Sequence, residues 1–334
     1  MENIRAIMSG CMETDKPLIS ILMAVYEPRM DWLREQLESL NAQTYPNLRL
    51  YICDDCSPTV HFEDLRVLVE ECITKFPFIL FRNETNLGSN KTFEHLTKEA
   101  EGELFAYCDQ DDIWLPEKLD ILQREMESTG ALLLCSDMYV IDENGKKIAD
   151  SITQVRRHHV FCSGSNLAKK LLFRNFVTGC TMLVKKDSAK KALPFCPFYI
   201  HDHYLALWCA EYGKIESVLK PLIFYRIHHG NQTLEMAGVK DRRTYQEARI
   251  DVVVKRMSWL KIHLPCSTEL LSVIEKGLLW AEARQRNWEH KGGAFTVLKY
   301  SRFSLIPSLF ELAGAWMPEP VLMWFVNLKR KNKV

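Results

Sequence analysis

A chain of 334 residues can bury one large core or two smaller ones, and its 43 Lys and Arg against 43 Asp and Glu leave no overall charge bias, so nucleic acid is not an expected partner. The remaining composition is that of an ordinary globular protein. Its eleven cysteines are odd in number and many sit inside apolar runs (Cys72, Cys135, Cys209), which excludes a disulfide framework and suits the reduced thiols of a cytoplasmic protein.

Met1 to Lys16 has no apolar core of signal-peptide length and contains Glu2, Glu13 and Asp15, so a tail that directs no export is expected there. Leu18 to Val25 is a continuous β-rich run, Pro28 to Asn41 spaces Leu33, Leu37 and Leu40 as a helix does, and Leu48 to Cys53 is a second apolar run. The pattern repeats with a helix near Phe62 to Lys75, a strand near Phe78 to Phe81, a helix near Asn90 to Ala100 and a strand from Glu103 to Cys108. Such alternation predicts an α/β fold with a mostly parallel sheet, helices on both faces and right-handed crossovers. Neither G-x-G-x-x-G nor G-x-x-x-x-G-K-[ST] occurs, so both common phosphate loops are excluded. The polar strand ends are instead Tyr26-Glu27, Asp54-Asp55 and the acids after Cys108. Cys53-Asp54-Asp55-Cys56 has the C-x-x-C spacing, but no second pair lies at zinc-ribbon or finger distance.

Asp109, Asp111 and Asp112 fall on a loop at a strand's carboxyl end, where open α/β sheets bind ligands. Three acids so close repel one another unless a hard cation is shared, and oxygen donors favour Mg²⁺ or Mn²⁺. Taken alone, the same acids also fit a solvated turn capping the helix that follows Pro116.

Pro116 to Ser128 reads as that helix, Ala131 to Ile141 is β-like, and Asn144-Gly145 signals a tight turn back into the residues after Lys147. Ser151 to Gly164, with His158 and His159, is polar and aperiodic, a mobile loop or an exposed connection. Phe176 to Val184 reads as a strand with Gly179 where a backbone or ligand approaches closely. Tyr199 to Tyr212 is a helix with an apolar face at Leu205, Trp208 and Cys209. Asp202, near its start, fits an N-cap or a functional acid. From Asp241 onward the texture is helical, in Tyr245 to His263 and Ser267 to Trp288. Ser301 to Val334 is aromatic and apolar and ends in four basic residues after Leu328. Glu311, Glu319 and three prolines interrupt it, so a span of roughly 20 apolar residues is excluded. Two readings remain for it, peripheral contact with a membrane or a helix packed on the protein.

Four stretches resemble the family-2 glycosyltransferases of GT-A fold, many of which build bacterial surface polysaccharides. They are Ile19 to Pro28, with Glu27 where that family often has Asn; Asp54-Asp55-Cys56-Ser57, similar to its D-D-x-S turn; Asn86-Leu87-Gly88, similar to its N-x-G loop; and Asp109 to Leu119. His201-Asp202 and Tyr225-Arg226-Ile227-His228 resemble two further segments, and the likeness spans roughly Pro17 to Thr233. It implies a GT-A catalytic domain over 17–236, after the tail 1–16 and before a helical region over 237–334. The resemblance further implies an inverting, metal-dependent transferase that adds one sugar per encounter. Ala24, Tyr26, Glu27, Asp55, Asn86, Gly88, Asp109, Gln110 and Arg226 would bind the nucleotide-diphospho-sugar, with Asp55 reading the base and Arg226 facing the pyrophosphate. Asp111, Asp109, Asp112 and His228 would hold the Mn²⁺ or Mg²⁺; Asp202 would be the general base; and Thr178, Gly179, Trp114 and His201 would face the acceptor. D-Q-D-D-I-W occurs, by resemblance, in rhamnosyltransferases, so dTDP-rhamnose and UDP-sugars are both implied donors, and a glycan or lipid-linked glycan at the cytoplasmic face of the inner membrane is the implied acceptor. Two other classes share parts of this pattern. A sugar-phosphate nucleotidyltransferase would need a Gly-rich first loop, which Met23 to Pro28 lacks, and a degenerate non-catalytic scaffold would not need the four acids at 109, 111, 112 and 202.

Overall fold

Ten strands occur among the described residues: β1 (Asn3–Ala6), β2 (Ile19–Val25), β3 (Leu48–Asp54), β4 (Phe78–Arg82), β5 (Leu104–Cys108), β6 (Ile113–Trp114), β7 (Leu133–Ile141), β8 (Lys147–Ala149), β9 (Met182–Lys185) and β10 (Ile215–Arg226). They form one sheet in the order β1-β4-β3-β2-β5-β9-β7-β10-β6, with β8 beside β7. The computed structural model describes residues 3–6, 15–156, 158–228 and 238–331.

β2 lies between β3 and β5, parallel to both, and is buried along almost its whole length because helices cover the sheet. The helices Met30–Asn41, Phe62–Cys72 and Ser89–Glu99 make the crossovers, each turning an apolar stripe inward; Leu33, Leu37 and Leu40 do so for the first. Sheet and helices meet in one core that includes Ile21, Met23, Leu37, Leu50, Leu80, Ala106 and Leu134.

The sheet is mixed, where the alternation predicts a mostly parallel one. β4, β3, β2 and β5 are parallel, but β9 runs antiparallel between β5 and β7. Its register, Ala106 on Leu183 and Leu104 on Lys185, shows the cause: the chain enters β9 from the carboxyl end of β5 without a helix to carry it back. The expected strand over Phe176 to Val184 is therefore half a turn, Gly179–Thr181, and half a strand. Asn3–Ala6, within the expected tail, pairs antiparallel with β4. The hairpin at Asn144-Gly145 forms, with Val140 on Ala149. β6, which the sequence does not signal, pairs Trp114 with Ile223 and Ile113 with Phe224, tying the acidic loop to the end of β10.

The chain divides into two compact units. The sheet unit comprises Met1–Leu167, Phe176–Phe195 and Ile200–His228. The other holds Ala168–Asn175, Cys196–Tyr199 and His229–Val334. The domain boundary expected at residue 236 lies outside the described residues, as do His229 to Gln232. The helices of the second unit include Val252–His263, Thr268–Trp288, Ala294–Lys299, Leu305–Gly314 and Glu319–Lys331. Tyr245, Ile250, Trp288, Leu322 and Val326 share its core, beside a buried ion pair of Arg284 and Glu311 at 2.6 Å to which the Tyr245 hydroxyl donates. Among the described residues, no helix is long and apolar enough to cross a membrane.

Candidate active site

The acidic loop fills the gap between β5 and β6, and its neighbours fix it from three sides. Gln110 clasps Tyr26: the Tyr26 N–H donates to Gln110 Oε1 at 2.8 Å, and Gln110 Nε2 donates to the Tyr26 carbonyl at 3.1 Å. The Arg226 backbone N–H donates to Asp112 Oδ1 at 3.1 Å, and its Nε donates to the Asp111 carbonyl at 2.9 Å. The same guanidinium pairs with Glu35 and lies 4.9 Å from the Trp32 ring centroid. With 1% of its surface exposed, Arg226 is a bracket for the loop. Because β6 holds the loop against β10, His228 arrives at Asp111, Nε2 to Oδ2 at 2.7 Å, with both side chains partly exposed.

Asp109, Asp112 and Cys180 form a second cluster, with ligand atoms all within 4.8 Å of one another. Burial, then the neighbouring carboxylates, raises the pKa of both acids; for Asp109 those neighbours are Asp112, Asp111 and Asp202. Asp112 Oδ2 is buried without a hydrogen-bond partner among the described residues. Carboxylates crowded together, one with an orphan oxygen, fit a cation site, and their oxygens suit Mg²⁺ or Mn²⁺. Burial pushes the Cys180 thiol well above its ordinary range, so it is a poor donor as it stands. Asp112 is fully buried, whereas Asp109, Asp111 and His228 are partly exposed.

Below the acids lies a cation that is not among the residues expected at the site. Lys118 is fully buried, its ammonium 3.0 Å from the Trp114 ring centroid and its Nζ donating to the Cys180 carbonyl at 2.6 Å. Burial lowers its pKa to about 7. A signal existed: a lysine opening the helix Lys118–Thr129 stands where the helix dipole disfavours a cation, so another charge has to explain it. Trp114 is the buried plate under this ammonium.

Asp202 comes to the same end of β5. It is the second residue of the helix His201–Tyr212, whose N-cap is Ile200, so it does not act as that cap. Its Oδ2 accepts from the Gly179 N–H at 3.0 Å. A Cβ on Gly179 would sit 2.8 Å from His201 Nε2, so only glycine lets the turn approach the helix. Thr178, also buried, precedes that turn, and its carbonyl accepts from both the N–H and the hydroxyl of Thr181. His201 is stacked between Phe93 and Tyr107, at 4.0 and 5.4 Å between ring centroids, and neither ring nitrogen has a partner among the described residues. Burial pushes its pKa down to about 3. His201 is thus a neutral aromatic plate stacked beside Asp202.

At the neighbouring strand ends, Asp55 accepts from Asn83 Nδ2 at 2.8 Å, the Leu87 N–H at 2.9 Å and the Gly88 N–H at 2.8 Å. Its carboxylate shapes the Asn86-Leu87-Gly88 loop. Gly88, at φ +79°, caps the helix Ser89–Glu99 and accepts a backbone position closed to most residues. Glu27, at φ +45°, is held by Thr59, whose N–H and hydroxyl donate to its carboxylate and lower its pKa. Ala24 is paired with Cys53 in the β2–β3 register, and Tyr26 and Asn86 are exposed at this edge.

Residues 20–191 match the family described as Glycosyl transferase family 2. An uncharacterized glycosyltransferase of Methanocaldococcus jannaschii is 28% identical over 238 residues, 70% of this chain and 78% of that one. Among solved structures, S. aureus TarS 1–349 in complex with UDP-GlcNAc superposes with a TM-score of 0.57 at 17% identity, covering 89% of this chain and 81% of that one. A longer TarS chain is covered over 43% of its length. The mannosyltransferase PcManGT of Pyrobaculum calidifontis, in complex with GDP-Man and Mn²⁺, has a TM-score of 0.52 at 14% identity, over 90% of this chain and 79% of its own. At these identities the two structures speak for the fold, which is GT-A.

Proposed function

The chain belongs to glycosyl transferase family 2 and is a glycosyltransferase, and from that premise we propose that it moves one sugar from a nucleoside-diphosphate donor to an acceptor hydroxyl, with inversion and with the help of a divalent cation. The observation that carries this reading is the convergence of Asp109, Asp111, Asp202 and His228, drawn from separate stretches, at the carboxyl end of β5.

Asp111 and His228, with Asp109, would hold Mn²⁺ or Mg²⁺. The cation would supply charge neutralisation for the departing diphosphate. This chain's own residues do the rest. Gln110 and Arg226 keep the acidic loop from relaxing when its charge changes. Asp202 accepts the proton of the attacking hydroxyl, and the Gly179 N–H holds its carboxylate in one orientation. Since departure and attack occupy opposite faces of the sugar, one displacement inverts the anomeric carbon. Tyr26, Asp55 and Asn86 line the edge proposed for the nucleotide. The TarS complex with UDP-GlcNAc and the PcManGT complex with GDP-Man and Mn²⁺ support a nucleotide-sugar donor and a metal. A UDP-sugar and dTDP-rhamnose are the donors proposed, and a growing surface glycan, free or lipid-linked, is the acceptor.

The variant Asp202→Asn tests the reading. Donor binding is expected to stay nearly intact while transfer falls by roughly a hundred- to ten-thousand-fold, as losing a general base does. Near-normal turnover in the variant would remove Asp202 from the reaction.

A further inference from the structure

In a helix that packs on a globular protein, the apolar stripe faces inward and the solvent face is polar. The helix Glu319–Lys331 carries two apolar stripes instead. Leu322 and Val326 are buried in the second unit's core, while Val321, Trp324, Phe325 and Leu328, spaced three and four apart, face solvent. The helix Leu305–Gly314 repeats the pattern: Ser308, Glu311 and Gly314 point inward, and Leu305, Ile306 and Leu309 point out. Phe310 joins the two helices, with its ring 6.3 Å from Phe325, which in turn lies 4.8 Å from Trp324. Ile306 is 70% exposed and Trp324 58%, a degree of exposure that folding alone does not select for.

The charge of this stretch of sequence is one-sided. Residues 291–334 contain seven basic residues, Lys291, Lys299, Arg302, Lys329, Arg330, Lys331 and Lys333, against two acids. Both acids are engaged, Glu311 in the buried pair with Arg284 and Glu319 accepting from the Arg242 N–H at 3.2 Å. We propose that the exposed apolar faces of Leu305–Gly314 and Glu319–Lys331 dock this protein on an anionic lipid surface. Aromatic and aliphatic side chains enter the headgroup boundary, and basic residues such as the exposed Lys299 and Arg302 meet lipid phosphates. A second copy of the chain fits less well, since self-pairing would bring two basic rims together.

The full chain is to be sedimented with phosphatidylcholine vesicles, with and without phosphatidylglycerol, at low and high salt. It should pellet with the anionic vesicles at low salt, and less at high salt or with neutral vesicles. Ile306→Glu with Trp324→Glu should weaken vesicle binding by on the order of a hundredfold, about tenfold for each apolar side chain withdrawn. Because both sites are exposed, the melting curve should stay unchanged. Lys299→Glu or Arg302→Glu should weaken binding to anionic vesicles by about fivefold per charge and leave neutral vesicles unaffected. The proposal falls if the wild type stays in the supernatant with anionic vesicles at low salt, or if the double variant pellets equally. It falls too if light scattering without lipid shows a self-associated wild type that the double variant dissociates, which would make a second copy the occupant.

Discussion

His201 and Asp202 are adjacent, yet burial gives them opposite chemistry. Asp202 holds an acceptor position against Gly179, while His201 is shut between two aromatic rings as the neutral imidazole. With a folded pKa near 3 against 6.5 in the open chain, His201 takes up a proton on unfolding at any pH between the two. Its contribution to stability is therefore full above about pH 6.5 and is lost as the pH falls towards 3. Between pH 7 and pH 5 the wild type should lose about 2 kcal/mol more stability than His201→Phe, which keeps the stack and cannot titrate. Urea unfolding of both proteins at the two pH values measures this, and equal losses would place His201 in a solvated or paired setting.

At the level of elements, the acidic loop owes its shape to residues outside it. Arg226 at the end of β10 donates to the Asp111 carbonyl and pairs with Glu35 on the helix Met30–Asn41. Arg226→Met should lower stability by about 1–3 kcal/mol, the range for losing a buried, charged hydrogen-bond donor, and Arg226→Lys should restore little of it because an ammonium cannot reproduce the fork. Calorimetric unfolding, paired with Mn²⁺-dependent binding of a nucleoside diphosphate, checks the assignment. Unchanged unfolding with abolished nucleotide binding would return Arg226 to the pyrophosphate. The sequence shows the loop and the arginine as separate motifs. What it conceals is β6, two residues long, whose pairing with β10 makes them partners.

At the scale of the whole chain, the alternation of apolar runs and helical stripes makes β2 to β5 and their crossovers legible, because each follows from a local period. The antiparallel entry of β9 is not local: it sets Leu183 against Ala106, which no short-range pattern links. The site divides along the same line. Acids at strand ends are legible, since a carboxylate cluster after an apolar run has few purposes. Cys180 beneath them, and the burial that turns Arg226, Trp114 and His201 inward, emerge only from the packing. The most direct measurement of the central claim is product analysis with a panel of nucleotide sugars and acceptor glycans, with Mn²⁺ present and then chelated, reading the released nucleotide and the anomeric configuration by NMR. The expected result is nucleoside diphosphate released only with the metal, and a glycoside of inverted configuration. Release of pyrophosphate or nucleoside monophosphate, a retained configuration, or full turnover in chelator would contradict it.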